Sequence, residues 1–404
     1  MPKLIIWQNG KRHDARFEGA PVLSQVLAQA GLALPQPCGG RGRCGKCRVE
    51  AQGEISPSNA FEQKAGSRLS CQLMLRGDAE VFLPASQEMA QIQLEGEGSA
   101  GALSPMPGHI GAAVDIGTTT LGLKLYDLKT GEHLASAAAV NPQTAVAADV
   151  MGRIGAALEG GQQRLQRLVE DALQGLLHQA LKEAKQPETA LETLVIAGNT
   201  TMLYLLTGKN PLTLSRAPFE ADHLFGVWED LQGRRAYLPP CMNAFVGADI
   251  TCAVLASGMC ERGDTALLAD VGTNGEIALW KDGVLHVAST AAGPAFEGAG
   301  IHMGSGSVPG AIDSVWVEEG MIRAHTIGSA KPIGMCGSGL IDAIAALLDL
   351  GLVEDTGATD EDRLYLAEGV YLIPQDIRHV QLAKAAIAAG IRTLMYEAKV
   401  RPED

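Results

Sequence analysis

Four of the eight cysteines in this 404-residue chain lie before residue 72, and their spacing is the first indication of chemistry. Cys38, Cys44 and Cys47 fall within "CGGRGRCGKC", and Cys71 follows in "SRLSCQ". Zinc is one candidate for the bound metal, because CxxC is a common zinc half-site. Zinc sites usually pair two half-sites, however, and Cys71 has no near partner. A [2Fe–2S] cluster is the other, because plant-type clusters use C-x4-C-x2-C and a distant fourth cysteine.

The residues between the cysteines favour the iron–sulfur cluster. Gly39, Gly40, Gly42 and Gly45 let the loop bend so that backbone N–H groups point inward. Cluster sulfurs carry negative charge and need such donors, whereas zinc needs fewer of them. The loop arginines and Lys46 add positive charge nearby. The pattern therefore favours iron–sulfur over zinc or unligated thiols.

The flanking segments predict a small domain around this loop. "KLIIWQNGKRHDARF" alternates and turns at Asn9-Gly10, a strong hairpin signal. "VLSQVLAQAG" has the pattern of a short amphipathic helix, and "CRVEAQGEI" and "AEVFLP" are typical of strands. The whole resembles adrenodoxin-type and plant-type [2Fe–2S] ferredoxins, and the five-residue first gap matches the adrenodoxin style better. We expect a ferredoxin-like β-grasp domain over residues 1–85.

Length and composition limit the remaining choices. A chain of 404 residues exceeds one ordinary core, and 46% apolar with 19% charged residues suits globular domains. The net charge of −14 argues against nucleic-acid binding. The apolar run at the N-terminus is too short for a signal peptide, and no stretch of about 20 apolar residues predicts a membrane span. We therefore expect a cytoplasmic protein, in which disulfides are uncommon.

A segment rich in Gly, Ser and Pro, "SQEMAQIQLEGEGSAGALSPMPGHI" at 86–110, predicts a linker with at most a short strand at "QIQLE". Beyond it the pattern changes. A strand, a tight turn and an alternating strand occur in "GAAVDIGTTTLGLKLYDLKTGE" and again in "LLADVGTNGEIALWKDGV". The repeated turn residues are Asp115, Gly117, Thr118 and Thr119 in the first copy and Asp270, Gly272, Thr273 and Asn274 in the second.

Two DxGT turns between alternating strands have a clear chemical use. The acid at the strand end can hold a magnesium-bound water, and glycine lets the backbone approach a phosphate. The threonine hydroxyl and the turn N–H groups can donate to phosphate oxygens. The pair resembles the phosphate motifs of the ASKHA superfamily of acetate and sugar kinases, Hsp70 and actin. The expected fold class is therefore α/β, with an RNase H-like, actin-type ATPase of two lobes at 111–264 and 265–404.

Four further positions have competing interpretations. The Gly-Asn-Thr-Thr turn at 198–201 is either a cleft loop or a helix cap, and Asp249 is more simply a helix cap. The Gly-rich segment 289–307 is expected to line the cleft, where Glu297 could act as a base or magnesium partner. The Gly-rich turn around Cys336 opens a helix, which would either bind an anion or serve packing.

Together these segments resemble the reductive activators of corrinoid-dependent methyltransferases. The resemblance rests on "CGGRGRCGKCRV", "RLSCQ", "AVDIGTTT", "NPQTAVAADVMGRI", "VIAGNTTM", "FVGADI", "ADVGTNGEI", "AAGPAFEGAGI" and "GMCGSGLIDAIAALL". It implies that Cys38, Cys44, Cys47 and Cys71 ligate a [2Fe–2S] cluster and that both DxGT turns bind Mg-ATP. It also implies an activity, the ATP-dependent reduction of Co(II) to Co(I) on a corrinoid protein or methyltransferase.

The family pattern continues, after a helix like "LAKAAIAAGIRTLMYEAKVRPED", with a strand and a further Gly-rich turn. We therefore expect the second lobe to be incomplete, and an uncovered sheet edge would favour association, a homodimer included. Two other functions stay open. The chain could be a ferredoxin-type electron carrier whose ASKHA region only docks a partner, or a small-molecule kinase that carries a ferredoxin domain. The sequence does not identify the electron donor.

Overall fold

The computed structural model describes residues 1–8, 10–32, 34, 40, 42, 47–84, 110–147, 149–272, 274–298 and 300–404. The predicted linker with its "QIQLE" strand lies outside these residues, apart from Ile110. Three of the predicted site residues, Cys38, Cys44 and Thr273, also lie outside them. The predicted domain limits at 85, 110 and 264 remain predictions.

The N-terminal region is a mixed five-stranded sheet with two short helices. Its elements are β1 (Lys3–Gln8), β2 (Lys11–Arg16), α1 (Leu23–Gln29), β3 (Arg48–Ile55), α2 (Ala60–Ala65), β4 (Arg68–Leu69) and β5 (Leu75–Phe82). The strand order is β2-β1-β5-β3-β4, and β1 runs parallel to β5 and antiparallel to β2. Leu4 and Ile6 of β1 are fully buried because alternate side chains face one side of a strand. Helix α1 covers that side, so the cysteine loop is attached to a packed core.

The first lobe is built on a six-stranded sheet. Its elements are β6 (Ile110–Ile116), β7 (Thr120–Asp127), β8 (His133–Val140), α3 (Val150–Ala156), α4 (Gln162–Glu183), β9 (Leu191–Gly198), α5 (Thr200–Leu206), β10 (Val227–Leu231), β11 (Arg234–Leu238) and α6 (Ala248–Ser257). The strand order is β10-β11-β9-β6-β7-β8, so β6 is central, antiparallel to β7 and parallel to β9. Helix α4 packs its apolar stripe on this sheet, as its sequence pattern predicts.

The second lobe contains smaller sheets. Its elements are β12 (Ala266–Val271), β13 (Gly275–Lys281), β14 (Val284–Thr290), β15 (Ala311–Glu318), β16 (Met321–Thr326), β17 (Gly334–Met335), α7 (Gly337–Asp349), β18 (Leu364–Ala367), β19 (Val370–Leu372) and α8 (Pro374–Ala398). Strands β12, β13 and β14 form an antiparallel sheet, and helix α8 packs on β13 and β14. The other two sheets have the orders β16-β15-β17 and β18-β19.

Each predicted DxGT turn joins two antiparallel strands. Residues 117–119 connect β6 to β7, and residues 272–274 connect β12 to β13. In the first hairpin, the apolar alternation of β7 sets the register, because a slip of one residue would turn its inward side chains to solvent. Both turns therefore lie at the end of a strand that carries an aspartate, as the sequence predicts.

Candidate functional site: a cysteine pair and two DxGT turns

The described part of the cysteine site is Cys47 and Cys71. The short pairing of β3 with β4 brings them together, and the Ser70 N–H donates to the Cys47 carbonyl at 2.8 Å. Both cysteines are buried, with Leu69 packed against them. The two thiols are in hydrogen-bond contact. The strand pairing thus places side by side two cysteines that are far apart in sequence.

The surroundings of the two thiols fit a metal–sulfur group. The adjacent Cys47 thiol is the main cause that raises the pKa of Cys71 far above its usual range, and burial adds to the effect. A bound metal would reverse this, because its positive charge stabilises thiolates. The backbone N–H of Gly42 donates to the Cys71 sulfur, and Gln72 Nε2 lies 3.6 Å from it. These donors face the sulfur as a cluster requires.

Gln72 also fixes the loop, because its Nε2 donates to the Gly40 carbonyl at 2.6 Å. Gly42 has φ +72°, and a Cβ there would lie 3.0 Å from atoms of Gln72 and Phe61. Glycine is needed at that position for both conformation and space. Gly42, one of the glycines singled out in the sequence, therefore allows the backbone to approach a sulfur closely, whereas Gly39 and Gly45 lie outside the described residues.

The buried carboxylate of Glu62 holds β4 in place and was missed in the sequence. It accepts hydrogen bonds from Arg68 Nε at 2.9 Å, from the Leu69 N–H at 3.0 Å and from the Asn59 N–H at 3.0 Å. Asn59 and Glu62 form a capping box on α2. The sequence signal was present as an N-cap residue followed three residues later by glutamate. Because β4 leads directly to Cys71, this frame positions one of the two thiols.

Within the described ranges, no three Cys, His, Asp or Glu side chains form a metal-binding group. The role of Cys38, Cys44, Cys47 and Cys71 as the four cluster ligands therefore stays a prediction. It is supported by the Cys47–Cys71 contact and by the donors around it.

The first DxGT turn is closely held. Asp115 is near the end of β6, and Gly117 leaves room for the turn because a Cβ there would lie 2.8 Å from the Thr120 carbonyl oxygen. Asn199 Nδ2 donates to Thr118 Oγ1 at 3.1 Å. Since that oxygen accepts from Asn199, its own proton is available to a ligand.

The helix-cap interpretation of the turn at 198–201 is confirmed, and the cleft-loop interpretation remains a prediction. The Asn199 carboxamide oxygen accepts from the Met202 N–H at 3.1 Å and caps helix α5, while its Nδ2 reaches Thr118. Gly247 lies against the same turn, where a Cβ would be 2.4 Å from Asn199 Cα. One side chain thus ties a helix start to the first phosphate turn.

The second turn faces a further acid. The Gly272 N–H donates to the Asn274 carbonyl at 3.0 Å and closes the turn, and Asp270 pairs in register with Glu276 of β13. Glu297 Oε1 lies 3.8 Å from the position that a Cβ on Gly272 would take. The Gly-rich loop therefore adjoins the second turn as expected, and the proposed role of Glu297 as base or magnesium partner remains a prediction.

Four carboxyl groups from both lobes interact electrostatically: Asp115, Asp249, Asp270 and Glu276. Desolvation by the surrounding protein, followed by the charges of Asp249 and Asp270, raises the pKa of Asp115 to about 7, although this residue at the end of β6 keeps solvent-accessible surface. Burial and the same two charges raise the pKa of Glu276 to about 7. Burial raises the pKa of Asp249 to about 6, with Asp270 contributing, and burial also raises that of Asp270. A divalent cation would relieve this repulsion.

The helix-cap interpretation of Asp249 is wrong. The N-cap of α6 is Gly247, and Asp249 lies inside the first turn of that helix. Its Oδ1 accepts from the Ile250 N–H at 2.9 Å, and its charge acts on Asp115, Glu276 and Cys252. Gly247 packs directly on the Asn199 backbone, where a Cβ would lie 2.4 Å from Asn199 Cα. Glu276 was also missed, although "NGEI" carries an acid two residues after the turn.

The Gly-rich turn before α7 serves packing. A Cβ on Gly337 would lie 1.9 Å from the Phe296 carbonyl oxygen, and one on Gly339 would lie 2.2 Å from that of Ile312. Cys336 is buried, and its sulfur lies 3.3 Å from Ser338 Oγ. The turn is close-packed where a bound anion would need space, so these contacts support the packing alternative for this segment.

Three sequence families match the chain in succession. Residues 7–76 match the 2Fe–2S iron–sulfur cluster binding domain. Residues 110–262 match the RACo middle region, and residues 264–404 match the C-terminal domain of RACo, the ASKHA domain. These matches define an ASKHA-type protein that carries a 2Fe–2S domain.

Similar proteins agree with this division. The chain is 34% identical over 323 residues to the corrinoid activation enzyme RamQ of Eubacterium limosum, covering 69% of this chain and 53% of that protein. It is 26% identical over 333 residues to a [Co(II) methylated amine-specific corrinoid protein] reductase of Methanosarcina barkeri, covering 73% of this chain and 61% of that protein. The chain thus spans a little over half the length of these relatives.

A solved structure titled "Reductive activator for corrinoid,iron-sulfur protein" has the same fold. Its TM-score is 0.66 at 24% sequence identity, and the match covers 100% of this chain and 85% of that one. The chain belongs to the family in which a 2Fe–2S domain precedes the RACo middle region and the RACo ASKHA domain. Among the described residues, no helix is both long and apolar enough to cross a bilayer.

Proposed function

We propose that this chain is an ATP-dependent reductive activator, which returns the cobalt of a corrinoid protein from inactive Co(II) to Co(I). The observation that carries the proposal is the presence in one chain of a 2Fe–2S domain and an ASKHA domain that has two DxGT hairpins. The names of its two relatives, a corrinoid activation enzyme and a corrinoid protein reductase, support the same reaction.

The electron-transfer half depends on the cysteine loop. A bound [2Fe–2S] cluster supplies one electron at a time at a low potential, about −400 mV for plant-type ferredoxins. The residues of this chain set that potential through hydrogen bonds to sulfur, from the Gly42 N–H and from Gln72. Burial of Cys47 and Cys71 keeps water from that side of the group.

Reduction of Co(II) needs a stronger reductant than such a cluster alone. Each 30 mV of a one-electron step costs about 0.7 kcal/mol, so binding or hydrolysis of one ATP can cover a few hundred millivolts. In the proposed site, the 117–119 and 272–274 turns contact the phosphates. The carboxylates of Asp115, Asp249, Asp270 and Glu276 would act on Mg²⁺ through its bound waters, because among the described residues no three acidic side chains form a direct metal-binding group.

The finer assignments follow from this activity. The partner is a corrinoid protein or its methyltransferase, and a separate donor supplies the electrons. The place of action is the cytoplasm, where the thiols stay reduced. We propose that two copies of this chain pair through strand β12 and form a homodimer. Leu267 and Val271 are exposed on that strand.

One observation favours a second candidate function. Strand β12, which leads to the second turn, is exposed or half-buried along its whole length. If that turn does not bind nucleotide, the chain acts as a ferredoxin-type electron carrier and its ASKHA region only docks the partner. Nucleotide binding separates the two candidates.

The test uses anaerobically reconstituted protein, a Co(II) corrinoid protein from a methyltransferase system and a low-potential chemical reductant. Loss of the Co(II) absorption band should require both this chain and Mg-ATP. Cys71→Ser should abolish it together with the cluster spectrum, whereas Asp270→Asn should abolish it and leave the cluster spectrum intact. Loss of the band at equal rates with and without ATP would favour the carrier, and no loss with an intact cluster spectrum would exclude both functions.

A further inference from the structure

The first phosphate turn is held from behind by a buried polar network. Asn141 Nδ2 donates to the Gly117 carbonyl at 2.8 Å, and the Asn141 N–H donates to the Thr119 carbonyl at 2.8 Å. Arg153 Nη2 donates to the Thr118 carbonyl between them. Three successive carbonyls of the turn are therefore bound by two side chains and one backbone amide on the same side.

This arrangement orients the amides of the turn. In a trans peptide, the C=O and the following N–H point in opposite directions. Because the Gly117 and Thr118 carbonyls face Asn141 and Arg153, the N–H groups of Thr118 and Thr119 face away from them. Those are the donors a phosphate would use.

Arg153 is an unusual residue for such a place, because its side chain is fully buried. Its remaining bonds are to neutral acceptors: Nε donates to the Ala147 carbonyl at 3.0 Å, and Nη1 to Gln143 Oε1 at 3.1 Å and to Met202 Sδ at 3.0 Å. In the part of the chain that the structure describes, it forms no ion pair. Burial lowers the pKa of Arg153 to about 10, and the charge of Asp149 only partly opposes the shift.

A buried cation without a paired anion is costly, so a compensating charge is expected nearby. The Asp149 carboxylate is engaged as the α3 N-cap, where it accepts the Gly152 N–H at 2.7 Å. On the far side of the turn from Arg153 lies the space that the Thr118 and Thr119 amides face. An anion bound to those amides would be one peptide unit away from the guanidinium.

We propose that Arg153 is a positioning residue for a phosphate-bearing ligand at the first turn, orienting the Thr118–Thr119 amide outward and supplying the charge that the bound phosphate compensates. The inference rests on the proposed nucleotide function and names one buried side chain that does not itself touch the ligand. In this proposal the segment "NPQTAVAADVMGRI", which contains Arg153, has a chemical role in anion binding.

Two substitutions test the charge separately from the fold. Arg153→Lys keeps a cation but loses the fork that reaches several acceptors. Gln143→Glu keeps the shape of its side chain and places a carboxylate against Arg153 Nη1, which would neutralise the guanidinium where it lies. Arg164→Met is the matched control, because it removes the same charge from the exposed side of α4 in the same lobe.

The measurement is the dissociation constant of Mg-ATP, together with the melting temperature without nucleotide. Gln143→Glu should raise the dissociation constant about tenfold or more, because a carboxylate that neutralises Arg153 removes a buried positive charge close to the bound phosphate. Arg153→Lys should raise it less, and Arg164→Met should leave it unchanged. The dependence of affinity on salt should also weaken in Gln143→Glu, because one cation fewer acts on the phosphate.

The opposite result would exclude the proposal. If Arg153 only stabilises the fold, the carboxylate introduced by Gln143→Glu should bind the Arg153 side chain more firmly. The folded variant should then bind Mg-ATP with the same affinity as the wild-type protein. Inorganic tripolyphosphate with Mg²⁺ is the second probe, and it should show the same order of variants because it presents phosphates alone. Failure of wild-type protein to bind Mg-ATP would instead contradict the proposed function, which separates the two failures.

Discussion

The two DxGT hairpins have the same sequence pattern and very different support. Strand β6 lies between β7 and β9, and five of its seven residues are buried. Strand β12 pairs only with β13, and none of its six residues is buried. The first turn is bound from behind by Asn141 and Arg153, whereas the second is closed by its own Gly272–Asn274 hydrogen bond. The same motif can therefore lie on a buried strand that other segments bind or on an exposed strand.

The second hairpin draws its support from a helix. Helix α8 packs across β13 and β14, and Gly390 allows the approach because a Cβ there would lie 2.4 Å from Thr290 Cγ2. Thr290 Oγ1 in turn donates to the Gly275 carbonyl at 3.2 Å. Hydrogen bonds from Asn141 and Arg153 therefore fix the first turn, whereas the packing of helix α8 supports the second hairpin. The two hairpins should respond to different substitutions.

The largest expected effect is on the first hairpin. Gly247→Ala would place a Cβ 2.4 Å from Asn199 Cα and 2.7 Å from the Gly198 carbonyl oxygen, both backbone atoms that cannot rotate away. We expect a loss of about 3 kcal/mol in unfolding free energy, measured by denaturant unfolding. Gly155→Ala is the control, because nothing lies within 4 Å of its added Cβ and alanine favours a helix. Equal stability of Gly247→Ala and wild type would show that the Asn199 contact is not rigid.

The next effect concerns pH and the acid cluster that spans both hairpins. The raised pKa values of Asp115 and Glu276, both about 7, mean that the native state keeps protons that the unfolded chain has already released above about pH 4. Stability should therefore fall as pH rises from about 5 to 8. Because Asp115 is solvent-accessible, water screens its charge, and Asp115→Asn should remove at most about 1 kcal/mol of that dependence, measured by unfolding at each pH.

The exposed Asp282 provides the control for the acid cluster. Asp282→Asn should leave the pH dependence as in wild type. Saturating Mg²⁺ should also reduce the slope if the cation binds between the carboxylates, because it would favour their charged forms. A slope unchanged in Asp115→Asn would mean that this carboxyl is better solvated than its burial implies.

Much of this site could be predicted from sequence, for reasons that the two hairpins make plain. Asp115 and Asp270 each precede a turn between alternating strands, so local pattern alone placed them at strand ends. The cysteine spacing was readable in the same way, with Gly42 placed where the Cys71 sulfur needs a donor. Local geometry follows from local sequence when period and turn chemistry agree.

The rest depends on contacts between distant segments. Arg153 reaches Thr118 across 35 residues, and Asn199 reaches it across 81. Asp249 was assigned to a helix cap because an acid near a helix start usually has that role. The residues that flank Asp249 in the sequence do not show that Gly247 is the N-cap of α6. They also do not show that the first turn of α6 lies near Asp270. Such contacts come from the packing of lobes, which a one-dimensional pattern does not contain.

A smaller effect is expected at the helix that supports the second hairpin. Gly390→Ala would place a Cβ 2.4 Å from Thr290 Cγ2 and 2.6 Å from Ile277 Cδ1, but these are side-chain ends that can shift. We expect a loss of about 1–2 kcal/mol in unfolding free energy, less than for Gly247→Ala. Gly175→Ala in α4, with nothing within 4 Å of the added Cβ, should be neutral or slightly stabilising. A loss larger than that of Gly247→Ala would reverse the ranking of the two supports.

The smallest effect is expected for a substitution on β12 itself. It tests directly the difference in burial between the two hairpins. Leu267 is 47% exposed on β12, whereas Leu123 on β7, in the first hairpin, is 1% exposed. Leu267→Thr should change the unfolding free energy by no more than about 0.5 kcal/mol, since threonine suits strands and little apolar area is lost. Leu123→Thr should cost about 2–4 kcal/mol, because it places a hydroxyl in a packed core. Similar losses at both positions would mean that β12 is covered in solution, and the concentration dependence of the melting temperature would then reveal whether a second copy covers it.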